Sequence, residues 1–216
     1  MTSAPENGRS EDESLMAQAV RRRSGDRVAA AEAEVRRLLD VGLALMTEDP
    51  ATAPKVADIV RRAGVTNDAF YRAFRGKADL MAAIADDGAR RLIGYVRHQR
   101  DKVPDPREQL AGSVRAVMRQ AADPVVADTT RAVLRNTSAQ RTGEGGSPAV
   151  RDRFAELLAE PLRQLSSADP ERDATVMARS AFAVMEQYLW AEVRPTEADI
   201  EHLVRFLLRG AGVQDA

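Results

Sequence analysis

The 216-residue sequence has no cysteine, only two histidines, and aromatic side chains at 4% of its positions. Without thiols, disulfide frameworks, cysteine-ligated zinc, iron–sulfur clusters and thiol nucleophiles are excluded. His98 and His202 lie far apart, and neither has a carboxylate or histidine partner at helical metal-ligand spacing. No metal, no cofactor and no histidine-based catalysis are therefore expected. Long apolar runs are also missing. The longest, Val41-Gly42-Leu43-Ala44-Leu45-Met46, falls well short of the roughly 18 to 20 residues of a membrane span, so no membrane partner is expected. Met1 to Ser14 is polar and acidic, which leads to an expectation of no secretory signal and a cytoplasmic location.

What is present describes a globular chain, with 44% hydrophobic and 30% charged residues, long enough for one large domain or two small ones. The net charge of −1 conceals an asymmetry. Met1 to Val20 carries −3, Arg21 to Lys77 carries +4, and Ala78 to Ala216 carries −2. Basic charge in the first third suits a polyanion, although an ordinary solvated surface gives the same count. Arginine outnumbers lysine 29 to 3. A GC-rich coding genome accounts for that bias more simply than phosphate chemistry does.

Residues 1–25 mix Pro, Gly, Ser and acids without apolar periodicity and read as a disordered tail containing Arg21-Arg22-Arg23. From Asp26 onward the pattern is helical, and no stretch alternates as a strand does, so the fold class is all-α with about nine helices. The first helix runs from Asp26 to Met46, with Val35, Leu38, Leu39, Gly42, Leu45 and Met46 on one face. A short helix follows Thr52-Ala53-Pro54, its stripe Val56, Ile59, Val60 and Ala63, and Gly64 stops it. A third short helix starts at Thr66 and buries Ala69, Phe70 and Phe74, and a longer one runs from Lys77 to Gln99. Lys102-Val103-Pro104-Asp105-Pro106 is the clearest boundary. Five further helices are predicted near residues 107–122, 124–138, 148–166, 171–193 and 196–209, with Arg141 to Ser147 a flexible loop.

Two short helices joined at Gly64, both apolar stripes facing one core, have the size of a helix-turn-helix, whose second helix projects non-core side chains into the DNA major groove. Removing the inward residues leaves Thr66, Asn67, Asp68, Tyr71 and Arg72 facing outward. Thr66 can cap the helix and meet a phosphate. Asn67 can pair bidentately with adenine, Asp68 can accept from the cytosine amino group, and Arg72 can grip guanine or a phosphate. The polar face of an ordinary surface helix would look the same on this pattern alone.

The run Ile59-Val60-Arg61-Arg62-Ala63-Gly64-Val65-Thr66-Asn67-Asp68-Ala69-Phe70-Tyr71-Arg72-Ala73-Phe74-Arg75-Gly76-Lys77-Ala78-Asp79-Leu80 resembles the DNA-binding signature of the tetracycline-repressor (TetR) family. The resemblance is specific over about residues 28 to 95 and architectural beyond. It implies a three-helix helix-turn-helix domain at 26–77 and a helical ligand-binding and dimerisation domain at 78–216, with 78–103 a connecting helix. It also implies a homodimer on a pseudo-palindromic double-stranded DNA operator. Carried over, it assigns Thr66, Tyr71, Lys77 and Lys55 to phosphates and Asn67 and Asp68 to bases. Three positions depart from the pattern: Ala73 replaces a histidine that touches phosphate, Asp68 stands where glycine is common, and Met46 replaces a core aromatic.

Between Val176 and Leu189 apolar residues wrap most of the helix, so both of its faces need cover. That indicates a dimer through the last two helices, the alternative being a central helix covered within a monomer. For a small-molecule effector, Met118, Phe154, Met185, Tyr188 and Trp190 are the candidate lining of an apolar cavity, although each is also ordinary core material. Arg97 and His98 read as a solvent-facing hinge. The resulting expectation is a DNA-binding transcriptional regulator and not an enzyme, taken as a repressor released by a small apolar or amphipathic effector. A dimeric all-α ligand-binding or scaffold protein with weakened DNA reading is the rival. A hydrolase or transferase lacks its usual machinery here.

Overall fold

The computed structural model describes residues 15–50, 52–138 and 148–213, and the segments 1–14 and 141–147 discussed above lie outside the described residues. Among those described there are nine helices and no strand: α1 (Leu15–Glu48), α2 (Val56–Ala63), α3 (Asn67–Ala73), α4 (Lys77–Arg100), α5 (Pro106–Ala122), α6 (Pro124–Ser138), α7 (Pro148–Gln164), α8 (Pro170–Ala191) and α9 (Glu197–Gly210). Helix starts follow the expected chemistry. Asp105 caps α5 ahead of Pro106, Asp169 caps α8 ahead of Pro170, and Thr196 and Asp199 form a reciprocal capping box on α9.

One expectation is corrected. The tail was placed at residues 1–25, but α1 begins at Leu15 and carries Arg21-Arg22-Arg23 as helix. Residues 21–33 are exposed throughout, and burial begins only near Glu34 and Val35. The apolar periodicity that marks a packed helix is therefore absent over this stretch, which is why the sequence reads as a tail. At about 1.5 Å per residue, Arg22 stands roughly 39 Å along the helix from Glu48 and the turn into α2.

Two apolar cores organise the rest. The first joins Leu38, Leu39 and Met46 of α1, Ile59, Val60 and Ala63 of α2, Phe70 and Phe74, and Leu80, Met81 and Ile84 at the start of α4. Met46, the departure from the aromatic pattern, is fully buried there. The second core spans α4 through α9, with Phe154, Leu158, Leu162 and Met177 at its centre and Ile93 and Val96 from the far half of α4. The fourth helix thus belongs to both cores. Ala132 of α6 also packs against the first one.

Proline inside a helix removes the N–H that would bond the carbonyl four residues earlier. Pro161 lies inside α7, so Leu157 O has no partner from that position. Arg100, the last residue of α4, donates from Nη1 to Leu157 O at 3.1 Å. The vacancy in one helix is filled from the end of another.

Phe154 is fully buried and packs edge-on against Phe182, ring centroids 5.5 Å apart. Truncating Phe154 to alanine should cost about 3–5 kcal/mol of stability, the range for large aromatic-to-alanine cavities. Urea unfolding followed by circular dichroism checks this, and a loss under 1 kcal/mol would remove Phe154 from the core.

Candidate nucleic-acid interface and effector cavity

The corner between α2 and α3 is made by Gly64 at φ 64°, a left-handed conformation that glycine adopts without a side-chain penalty. Val65 N–H donates to Val60 O at 3.2 Å, closing the end of α2. On the other side of the corner, Ala69 N–H donates to Thr66 Oγ1 at 3.1 Å, so Thr66 is the N-cap of α3. Phe70 and Phe74 anchor α3 inward, ring centroids 5.8 Å apart, and the exposed Tyr71 ring stands edge-on to Phe70 at 5.2 Å. Inward anchoring of this kind leaves the opposite face fixed and outward.

That face holds the residues singled out in the sequence. Thr66, Asn67, Asp68, Tyr71 and Arg72 are exposed on or at the start of α3, Lys55 is exposed at the start of α2, and Lys77 is half-buried at the start of α4. Other basic residues of the same unit are committed. Arg62 grips both carboxylate oxygens of Glu48 at 2.5 and 2.6 Å, and Arg61 pairs with Asp58. The Arg62 guanidinium holds the Glu48 carboxyl below the usual carboxylate range. By contrast, no ion pair engages Lys55, Arg72 or Lys77 among the described residues. Asp68 is likewise unpaired and would bring an uncompensated negative charge to a polyanion. Ala73, where a histidine was expected from the pattern, is exposed beside them.

A cavity of about 900 Å³ opens between α1, α4, α6 and α8, within the range of small-molecule sites. Its walls are chiefly apolar, including Leu43, Leu92, Val126, Val133, Phe182 and Met185, with Tyr95, Gln120, Thr130, Thr137 and Glu186 among the polar members. Of the five residues expected to line such a space, only Met185 does. Met118 and Phe154 have no exposed surface and fill the second core, where their size is spent on packing. Trp190 is 43% exposed on the outer surface of α8, and Tyr188 is half-buried beside that core. The sequence points to Leu134 of α6 and Phe182 of α8 as further apolar candidates, and both line the cavity, whereas the contribution of α4 was not anticipated. The signal in α6 was its mixed face, where Thr130, Val133, Leu134 and Thr137 recur at helical spacing.

Glu186 reaches the cavity from α8 with a side chain 12% exposed, and its Oε1 accepts from Arg151 Nη2 at 2.9 Å. Burial pushes its carboxyl up, and Arg151 opposes that shift. On the outer surface α8 presents Val176 and Trp190, Val193 follows it, and α9 presents Phe206 at 65% exposure. The described residues therefore leave that side of α8 uncovered. Arg97 and His98 are exposed at the end of α4.

Residues 38–84, which contain the corner, α3 and the start of α4, match the bacterial regulatory proteins of the tetR family. The match covers 47 of the chain's 216 residues. Its fold is shared with solved structures over most of its length. A tetR-family transcriptional regulator from Pectobacterium atrosepticum is 22% identical with a TM-score of 0.68, covering 87% of this chain and 98% of that one. Another, from Streptomyces coelicolor, is 22% identical with a TM-score of 0.60, covering 88% and 93%. RolR, solved with its ligand resorcinol, is 20% identical with a TM-score of 0.58, covering 87% and 91%. No curated protein matches the sequence. The chain thus shares the all-α fold of these structures, and no described helix is long and apolar enough to cross a membrane.

The hydrogen bond from Ala69 to Thr66 gives a stability prediction for the N-terminal unit. Thr66→Ala should lose about 1 kcal/mol, the usual worth of an N-cap hydroxyl. Asn67→Ala and Tyr71→Phe, on exposed groups with no internal hydrogen bond, should leave the denaturation midpoint unchanged. A large loss in either of the last two would make that position structural.

Proposed function

We propose that this protein is a sequence-specific, DNA-binding transcriptional regulator acting in the cytoplasm, a repressor released from a pseudo-palindromic operator by a small apolar or amphipathic effector. The observation that carries the reading is the α3 face: outward Asn67, Asp68, Tyr71 and Arg72 side chains with no hydrogen-bond partner among the described residues, on a helix capped by Thr66 and anchored by Phe70 and Phe74, in the segment that matches the tetR family. Asn67 and Asp68 face bases, and Thr66, Tyr71, Lys55 and Lys77 meet phosphates, with Arg72 on either. The reading unit comprises residues 26–77 and the effector-binding and dimerisation unit residues 78–216, with 78–103 coupling them. The cavity supports the effector, as does the resorcinol bound by a protein of the same fold. The protein's work is binding, with no reaction to catalyse.

Two reading heads must lie roughly 34–36 Å apart, or a multiple of that, to enter successive major grooves, which requires a dimer. Val176, Trp190 and Phe206 supply the apolar surface for a homodimer through α8 and α9. A single Phe206→Glu change should shift the sedimentation coefficient from dimer to monomer and weaken operator binding with it. A variant that stays dimeric would place the interface elsewhere.

The deciding experiment is fluorescence anisotropy with DNA from upstream of the protein's own gene, at two salt concentrations. Wild type should bind saturably, with affinity falling as salt rises, and should exceed scrambled DNA by about a thousandfold. Asn67→Ala should weaken specific binding by about 1–3 kcal/mol, the worth of a bidentate base contact. Equal, weak binding to all DNA, unchanged by Asn67→Ala or Tyr71→Phe, would favour the rival reading of a dimeric ligand-binding protein with weakened DNA heads. The unpaired carboxylate of Asp68 and the missing histidine at Ala73 are what keep that reading in play.

A further inference from the structure

The charged groups around the cavity are arranged unequally. Those that line it are Asp40, Asp86, Asp87 and Glu186 against one cation, Arg91. Arg91 is already engaged, 2.7 Å from Asp87 and 3.9 Å from Asp40. The other arginines that neutralise these acids stand outside the lining: Arg36 on Asp87 at 2.9 Å, Arg90 and Arg153 on Asp86 at 3.0 and 3.3 Å and Arg151 on Glu186 at 2.9 Å. The lining residues themselves therefore carry four carboxylates and one guanidinium.

Glu186 is the most enclosed of the four acids. Its Oε1 takes the Arg151 hydrogen bond, Oε2 remains as an acceptor, and the residue lines the cavity together with Met185 and Phe182. A ligand N–H or O–H placed there gains a charge-assisted hydrogen bond without breaking an ion pair. A ligand carboxylate would instead face acceptor oxygens in a weakly screened space, with no uncommitted cation among the described lining residues.

Building on the effector reading of this cavity, we propose that its ligand is an apolar molecule whose head donates a hydrogen bond to Glu186, a hydroxyl or a protonated amine, and that carboxylates with the same body are rejected. The test is calorimetric titration of the full chain with 1-octanol, octylamine and octanoate at neutral pH, for wild type and Glu186→Gln. The alcohol or the amine should bind wild type at least about tenfold more tightly than octanoate. The two arms separate a neutral head from a cationic one. In Glu186→Gln, which keeps an acceptor for Arg151 but removes the charge, octanoate should gain about fivefold or more, a gain that a damaged fold does not produce. Octanoate binding wild type as tightly as the alcohol and the amine would overturn the proposal while leaving the cavity a binding site. Absence of binding by all three would overturn the proposal and the effector reading together.

Discussion

The architecture depends on one helix serving two cores. Leu80, Met81 and Ile84 of α4 complete the apolar centre of the N-terminal unit, and Ile93 and Val96, two to three turns later, enter the centre of the C-terminal unit. A single α-helix is stiff over that distance, so the two units cannot reorient without disturbing packing in at least one of them. The cavity sits where this constraint is felt, with Ile84, Ala85, Gly88, Ala89 and Leu92 of α4 among its walls. Anything that fills the cavity presses on the element that both units share.

Electrostatics do not divide the molecule so cleanly. Several arginines tie helices together through acids: Arg115 with Glu201 at 2.5 Å between α5 and α9, Arg135 with Glu192 at 2.7 Å between α6 and the end of α8, and Arg36 with Asp87 between α1 and α4. Exposed pairs of this kind contribute little stability individually. Other arginines carry no ion pair among the described residues, Arg97, Arg179 and Arg194 on the body as well as Arg72 on α3. What sets the α3 face apart is its anchored, outward geometry and not its loose charge.

Much of this was legible in the sequence. Helix boundaries after Asp26 came from punctuation that has direct physical meaning: Gly64 at the corner, Pro106, Pro124, Pro148 and Pro170 at the first positions of their helices. The outward set on α3 followed from subtracting Ala69, Phe70 and Phe74, all of them buried as expected. Two things were not legible. Residues 21–33 of α1 are exposed throughout, and a stretch of helix that buries nothing leaves no apolar stripe to read. The cavity was harder still, because a side chain that lines empty space and one that fills a core have the same composition. Met185 and Met118 are chemically identical, and only the positions of their neighbours decide that the first lines the cavity and the second fills the core.

The bond from Arg100 to the carbonyl left vacant by Pro161 also sets how α4 can travel. Sliding the helix along its axis, or rolling it, would break that bond, whereas a small swing about the same point would keep it. The far end of α4 is thereby tied to α7. A 24-residue helix spans about 36 Å, so a rotation of about 5° there carries the Lys77 end through roughly 3 Å. A tilt that is small at the tied end, beside the second core, would thus be larger at the first, and the proline in the neighbouring helix is what supplies the tie.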